Sequence, residues 1–390
     1  MDAEIIGTGI TGFGMFVDTR MRVLAAKAAD EALEDAGLEA DQVDLVVFGN
    51  AAAGLLTGQE MIRAHTALEP SKVAGRPMIS VENACASSSS AVHLAALAVA
   101  SGSYRTVLAV GAEKMTSHDR SRAARALGSA VDVEECGEAD GSRPVFMDIY
   151  ASEARAYQEH SGASEHDFAL VAAKNYRNGS LNPIAQHRTA FTADEVLAAR
   201  TIAAPLTRLM CSSIGDGAAA CVLTSPDHAR ALGRPGVRVL SSSVGASTAS
   251  DAGDVVERTA RIAFDKAGLG PNDIDLCEVH DAAVTAELII MEEIGLARPG
   301  EGAKLIRDGA TAIGGRIPVN PSGGLTARGH PIGATGAAQI VELANQLRGR
   351  AGPRQVDNAR IGLAENAGGW LENGPAACVV TILKAPGSSR

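Results

Sequence analysis

Short apolar runs alternate with stretches of helical spacing along most of the chain. Residues 4–10 (Glu-Ile-Ile-Gly-Thr-Gly-Ile) read as a first strand. Val23, Leu24, Ala28, Ala32 and Leu33 then share one face of a helix predicted over 22–35, and Gly37 stops it. A buried strand follows over 43–48 and turns at Gly49-Asn50. The same pattern predicts strands at 78–81, 106–111, 220–224, 237–244, 274–279, 361–364 and 377–383. Helices are predicted through Ala100, over 285–293 and after Gly336, where Ala337, Ile340, Val341, Leu343 and Leu347 keep helical spacing. Strands alternating with helices predict an α/β fold. From about 114 to 210 the rhythm breaks. Helices at 151–160, 165–178 and 194–199 appear with no long strand, which reads as an inserted subdomain. Residues 305–315 read as a loop, 365–374 as a turn-rich insert, and Asp216, between two glycines, as a turn former.

One segment returns. Lys27–Gly54 overlays Arg258–Thr285 without a gap. Ala36-Gly37-Leu38 meets Ala267-Gly268-Leu269, and Val43-Asp44-Leu45 meets Ile274-Asp275-Leu276. Both copies read helix, glycine stop, Asp turn, apolar strand, which suggests an internal duplication. The overlay sets Gly49-Asn50 opposite His280-Asp281, both just past a strand's C-terminal end, where α/β folds place their sites. Arg234-Pro-Gly is the boundary expected between halves, giving 1–235 (with the insertion at about 114–210) and 236–390.

Composition narrows the class. At 390 residues the chain exceeds what one core usually holds. A net charge of −11 argues against general nucleic-acid binding, though local Arg residues can still meet an anionic ligand. No apolar run approaches the ~18 residues of a membrane span, and no basic leader precedes one. The six cysteines form no Cys-x-x-Cys pair, so no metal is expected in this chain. Scattered in this way they are expected to be reduced thiols in a cytoplasmic protein.

The candidate chemistry lies in three places. The stretch Asn320-Pro-Ser-Gly-Gly-Leu-Thr-Ala-Arg-Gly-His-Pro-Ile-Gly-Ala-Thr-Gly336 holds His330 between Gly329 and Pro331 on a rigid turn before a helix. Cys85 falls at a strand-to-helix junction, where free N–H groups and the helix dipole favour a thiolate. The serines of Ser87–Ser90 leave room for an acyl chain or a close-packed helix. His280-Asp281-Ala282-Ala283 follows the repeated strand. A cysteine with converging histidines suits acyl transfer: the thiolate attacks a thioester and holds the acyl group. His330 would take the thiol proton. Oxyanion donors would come from the Cys85 backbone and from Gly368 or Gly369. A second oxyanion, an enolate, would sit between His280 and His330.

The Gly-His-Pro stretch, with the Cys85 segment, resembles the signatures of the thiolase superfamily. The resemblance implies two duplicated β/α halves of five strands each, in a five-layer αβαβα arrangement with an inserted loop domain. It also implies coenzyme A and acyl-CoA thioesters as substrates, acyl transfer through Cys85, and homodimers or tetramers. Tyr150–Tyr157 and Lys174–Asn178 resemble the loop domain of sterol-carrier-protein-type thiolases, and His280-Asp281 fits that branch. His-Asp-Ala with Asn366-Ala-Gly-Gly369 is similar to thiolase-like subunits that pair with a small DUF35 OB-fold/zinc-ribbon protein. Such pairs act on bulky or aromatic acyl-CoAs, of which benzoylsuccinyl-CoA is the kind of substrate expected.

Two departures from the family stand out. The place two residues after His280 is Ala282, where some members carry an acid/base cysteine. The C-terminal Cys-x-Gly turn is here Glu365-Asn366-Ala367-Gly368. Glu365, or a water held by His280, is the expected replacement. Thiolytic cleavage of a 3-oxoacyl-CoA, or the reverse condensation, is the leading reading. A retro-aldolase acting on a 3-hydroxyacyl-CoA needs no covalent Cys85 intermediate and is the alternative, beside a non-catalytic acyl-CoA carrier. A ketoacyl synthase fits His280-Asp281-Ala-Ala poorly, and no Gly-x-Gly-x-x-Gly supports a nicotinamide enzyme. Arg208, Arg316 and Arg328 are candidate contacts for coenzyme A by charge and neighbourhood only.

Overall fold

The computed structural model describes residues 1–119, 121–137, 145–248 and 254–387. Parts of the predicted insertion lie outside these. The first strands are β1 (Glu4–Ile10), β2 (Leu45–Gly49), β3 (Met78–Val81), β4 (Thr106–Lys114) and β5 (Asp216–Thr224). After them come β6 (Val237–Ala246), β7 (Leu276–Glu278), β8 (Ile361–Gly368) and β9 (Ala377–Lys384). The principal helices are α1 (Met21–Ala36), α2 (Ser87–Ala100), α3 (Val145–Ser161), α4 (Glu165–Ser180), α5 (Val255–Ala267), α6 (Val284–Glu293) and α7 (Thr335–Leu347).

Hydrogen bonding links the strands in the order β3-β2-β4-β5-β1-β6-β9-β8-β7. The order repeats itself about the β1/β6 seam, where Glu4–Ile5 pairs antiparallel with Arg238–Val237. On each side a parallel pair (β2/β4, β7/β8) is followed by two antiparallel neighbours. The repeat extends to atoms. Gly37 (φ 66, ψ 37) and Gly268 (φ 66, ψ 34) end α1 and α5 in the same left-handed conformation. Asp44 accepts from Arg105 N and Thr106 N, as Asp275 does from Arg360 N and Ile361 N. Both aspartates tie a strand's start to its neighbour.

The helices complete five layers. α1 covers β1, β4 and β5, and α5 covers β6 and β9. Between the two sheet regions lie α2 and α7, each touching strands from both sides of the seam. Ser87 to Ser90 are buried, and Ser88 Oγ accepts from Ala337 N at 2.9 Å. The serines therefore serve close helix packing, one of the two uses expected of them. The N-termini of α2 and α7 meet at the centre of the molecule.

Four expectations need correction. The second half has four sheet strands, not five. Where a fifth would lie, Val319 makes one parallel bridge to Cys277. Pro318 lacks an N–H, and Asn320 turns the chain at φ 53. A short helix, Gly302–Arg307, takes in the first three residues of the predicted loop and buries Ala303 and Ile306. Glu365–Gly368 continue strand β8 rather than forming a turn. Asp216 begins β5 and is fully buried. Its carboxylate accepts from Lys114 Nζ at 2.9 Å and from Thr116 N at 2.7 Å. Among the described residues no helix is long and apolar enough to cross a membrane.

Candidate active site

Cys85 stands in one 3-10 turn, Ala84–Ala86, that runs directly into α2. Ala84 takes a positive φ of 46°, rare for a residue with a side chain. The Glu82 carboxylate holds it there by accepting from Ala84 N at 2.5 Å. Strained backbone of this kind collects at functional sites. Across the molecule, His330 precedes α7 through a matching 3-10 turn, Ile332–Ala334. His280 follows β7. Two helix starts and one strand end thus bring together Cys85 Sγ and a ring nitrogen from each histidine, all within 4.8 Å of one another. The imidazoles meet edge to face, with centroids 5.1 Å apart. Three such donors match the number in a catalytic zinc site, so the trio could also ligate a soft ion.

The hydrogen bonds around His330 set its tautomer. Its Nδ1 lies 2.7 Å from Thr335 Oγ1, and that hydroxyl donates to Pro331 O at 3.1 Å. Thr335 therefore accepts from Nδ1–H, which leaves Nε2 with a free lone pair. Burial pushes His330 well below the usual imidazole range, helped by the charges of His280 and Arg328. Burial, then Arg328, pushes His280 down to about 4. Both rings are neutral bases at neutral pH. His280 Nε2 is buried without a partner among the described residues.

Cys85 departs from expectation. Burial, with the carboxylate of Glu113 behind it, pushes its thiol up to about 12. The backbone N–H groups of Cys85 and Gly369 point at the sulfur and pull the other way, but they do not prevail. The helix start is outweighed because the sulfur has lost its water. The resting pair is then thiol and neutral imidazole, not thiolate and imidazolium. Alkylation of Cys85 by iodoacetamide should rise steeply from pH 7 to pH 9, read by peptide mapping to separate it from the exposed Cys136. A flat profile over that range would indicate a preformed ion pair.

The glycines behind the sulfur have little room. A Cβ on Gly368 would lie 2.2 Å from Asn83 O and 2.8 Å from Ala86 N, both backbone atoms of the Cys85 turn. Gly369 takes φ 65, where a side chain would be strained. Gly368→Ala should therefore move the Cys85 turn and lower acyl transfer by about tenfold or more, since small misplacements at a reacting centre are costly. Unchanged activity, with unchanged thermal stability, would show that the turn has slack.

Other predicted residues surround this centre without entering it. Asn320 is fully buried. It accepts from Val279 N at 2.8 Å, donates to Glu287 at 2.9 Å, and its carbonyl accepts from Asn178 of α4 at 3.0 Å. Gly329 (φ 104) and Pro331 form the turn that presents His330. Glu365 sits behind His280: its carboxylate accepts from His280 N at 2.9 Å and lies 3.7 Å from Cys378 Sγ. Burial raises it to about 7. Arg328 is 1% exposed and paired with Glu278 at 3.0 Å, so it holds the histidine loop together and is closed to a phosphate. Arg208 and Arg316 are exposed.

Three contributors escaped the sequence reading. Glu113, at the end of β4, accepts from Asn50 Nδ2 (2.8 Å), Ala51 N (2.9 Å) and Gly333 N (3.2 Å), and so fastens the first half to the histidine loop. Thr335 fixes the tautomer of His330. Tyr150, on α3, is 9% exposed. Burial, then the neighbouring Cys85, pushes its phenol well above the usual range.

The chain matches the thiolase N-terminal domain family over residues 3–227 and the thiolase C-terminal domain-like family over 242–383. It is 41% identical to an acetyl-CoA acetyltransferase of Methanothermobacter thermautotrophicus, over 94% of this chain and 96% of that one. It is 35% identical to the benzoylsuccinyl-CoA thiolase subunit BbsB of Thauera aromatica, over 94% of each. Human sterol carrier protein 2 is 33% identical over 97% of this chain and 71% of its own. The solved Ltp2-ChsH2(DUF35) aldolase superposes with a TM-score of 0.81 at 25% identity, over 100% of this chain and 99% of that one. With both domain families matched across the chain and the five layers in place, the chain belongs to the thiolase family and is an acyltransferase of that family.

Proposed function

We propose that the protein cleaves a 3-oxoacyl-CoA with coenzyme A, or runs the reverse condensation, through an acyl group held on Cys85. The observation that carries this reading is the convergence of Cys85 Sγ with one nitrogen each of His280 and His330 within 4.8 Å. His330 Nε2 takes the thiol proton as the sulfur attacks the 3-oxo carbonyl. The tetrahedral oxyanion is met by the N–H groups of Cys85 and Gly369. Carbon–carbon cleavage then releases an enolate, whose oxygen lies between His280 and His330 and whose α-carbon takes up the proton that His330 received. Coenzyme A, giving its thiol proton to His330, then attacks the acyl group, and the departing Cys85 sulfur takes that proton back. Glu365, from behind the His280 backbone, acts as a positioning residue more readily than as the acid/base, because its carboxylate points at a peptide N–H.

The finer reading takes a bulky or aromatic acyl group, with a DUF35 subunit beside this chain, in a homodimeric or tetrameric cytoplasmic assembly. The names of the BbsB relative and of the DUF35-bearing aldolase support it. We also take the chain as two halves, 1–235 with the loop domain at about 114–210, and 236–390. The repeated strand order supports that division. The aldolase neighbour favours a second reading, retro-aldol cleavage of a 3-hydroxyacyl-CoA. Free coenzyme A separates the two. Thiolysis of acetoacetyl-CoA should require it and give two acetyl-CoA. Cleavage that yields a free carbonyl product without coenzyme A would favour the aldolase.

A further inference from the structure

A cavity of about 160 Å³ opens beside the catalytic trio, lined by His280, Gly369 and Tyr150 at its inner end. Its outer end is lined by Glu153 of α3 and by Ile289 and Glu293 of α6. The same three residues line a second, wider cavity of about 380 Å³, which Glu257 and Glu292 also border. The two share those three residues, and the smaller is the passage that reaches His280. Among the described residues neither has a lysine or arginine in its lining, and the wider one is bordered by His160. Glu292 is held by Tyr157, whose hydroxyl donates to it at 2.6 Å, and by Gly300 N and Gly302 N. The carboxyl groups of Glu153 and Glu293 have no hydrogen bond or ion pair to any described residue. His280, 6% exposed, leaves Nε2 unpartnered on the same cavity.

We infer that this passage receives the acyl group and selects uncharged acyl groups against those that carry a carboxylate. The inference rests on the acyl-CoA reading above and narrows it. Coenzyme A brings phosphates, and a passage lined by carboxyl groups, with no lysine or arginine among its described residues, offers them no partner. What remains to enter it is the acyl end. An apolar chain meets Ile289, Ile290, Val256 and Trp370 there, and a neutral carbonyl or hydroxyl can bond to Tyr150. A terminal carboxylate would be buried beside Glu153 and Glu293 with no lysine or arginine among the described lining residues, and a charge taken out of water without a counter-charge is strongly disfavoured. Burial raises Glu153 to about 7, and burial with neighbouring carboxylates raises Glu293 well above its usual range. That is the response of acids crowded without a cation. A succinyl-type acyl group is thereby disfavoured, even though one relative is named for benzoylsuccinyl-CoA.

The test compares two six-carbon substrates, 3-oxohexanoyl-CoA and 3-oxoadipyl-CoA, which differ by a methyl or a carboxylate at the end. The native protein should favour the neutral one in kcat/KM by at least about tenfold. In the double variant Glu153→Gln/Glu293→Gln that ratio should shrink by about tenfold. Equal use of both substrates by the native protein, or a ratio that the double variant leaves unchanged, overturns the inference. Dissociation constants of the same two esters, measured by calorimetry, read the discrimination without turnover. Loading of Cys85 from acetyl-CoA, too short to reach the carboxyls, reads the acyl-transfer chemistry separately. If loading fails while the binding ratio holds, the functional reading falls and this one stands.

Discussion

Cys85→Ala should lower thiolysis of a 3-oxoacyl-CoA by at least about 10⁴-fold, or about 5.5 kcal/mol in the barrier. No other cysteine among the described residues belongs to the cluster with the histidines. Among the described residues the remaining cysteines are Cys136, which is exposed, and four that are buried away from this cluster. The substitution removes one sulfur from a well-packed turn, so stability should change little and the loss should appear in kcat. Residual cleavage within about tenfold of native would mean that the carbon–carbon bond breaks without a covalent intermediate, as a retro-aldol reaction would allow.

His330→Ala should cost about 10³-fold, within the usual range for removing a positioned base. A thiol pushed up to about 12 needs a base at the moment of attack, and His330 is held in its neutral form. The sign of the pH dependence follows. Both rings titrate below the ordinary imidazole range, so the base form persists as pH falls through 6.5. The native profile of kcat/KM should therefore show no acid limb between pH 6 and 7. Thr335→Val should lower kcat by about tenfold or more by freeing the tautomer, with KM little changed. A limb at pH 6.5, or a Thr335→Val variant of native activity, would contradict this picture of the base.

Much of this site was legible in the sequence because its local chemistry is encoded locally. A glycine stop, an Asp turn and an apolar run marked both copies of the repeat. Gly37 and Gly268, Asp44 and Asp275 do in the structure what their types suggested. Cys85 at a helix start and His330 on a glycine-lined turn were visible for the same reason. What escaped came from distant elements. Glu113 lies two residues past the strand predicted at 106–111, where an acidic residue gives no local sign of a partner. Only the fold reveals that it accepts from Asn50, Ala51 and Gly333. Asp216 looked like a turn because glycines flank it. Those glycines instead make room for Gln186 and Phe13, which a Cβ at Gly215 or Gly217 would meet at 2.3 Å. Arg328 read as a candidate contact for coenzyme A because its partner, Glu278, lies fifty residues earlier on β7. The thiol's upward shift was misjudged because burial, unlike a helix start, leaves no local mark.

The central claim is that an acyl group is carried on Cys85. Intact mass after brief incubation with acetyl-CoA or acetoacetyl-CoA, quenched in acid and followed by peptide mapping, tests it most directly. The account predicts a single acetyl adduct on the peptide that contains Cys85, absent from Cys85→Ala and removed by added coenzyme A. Turnover of the 3-oxoacyl-CoA with no adduct at any time, in a protein whose Cys85 is intact, would contradict it.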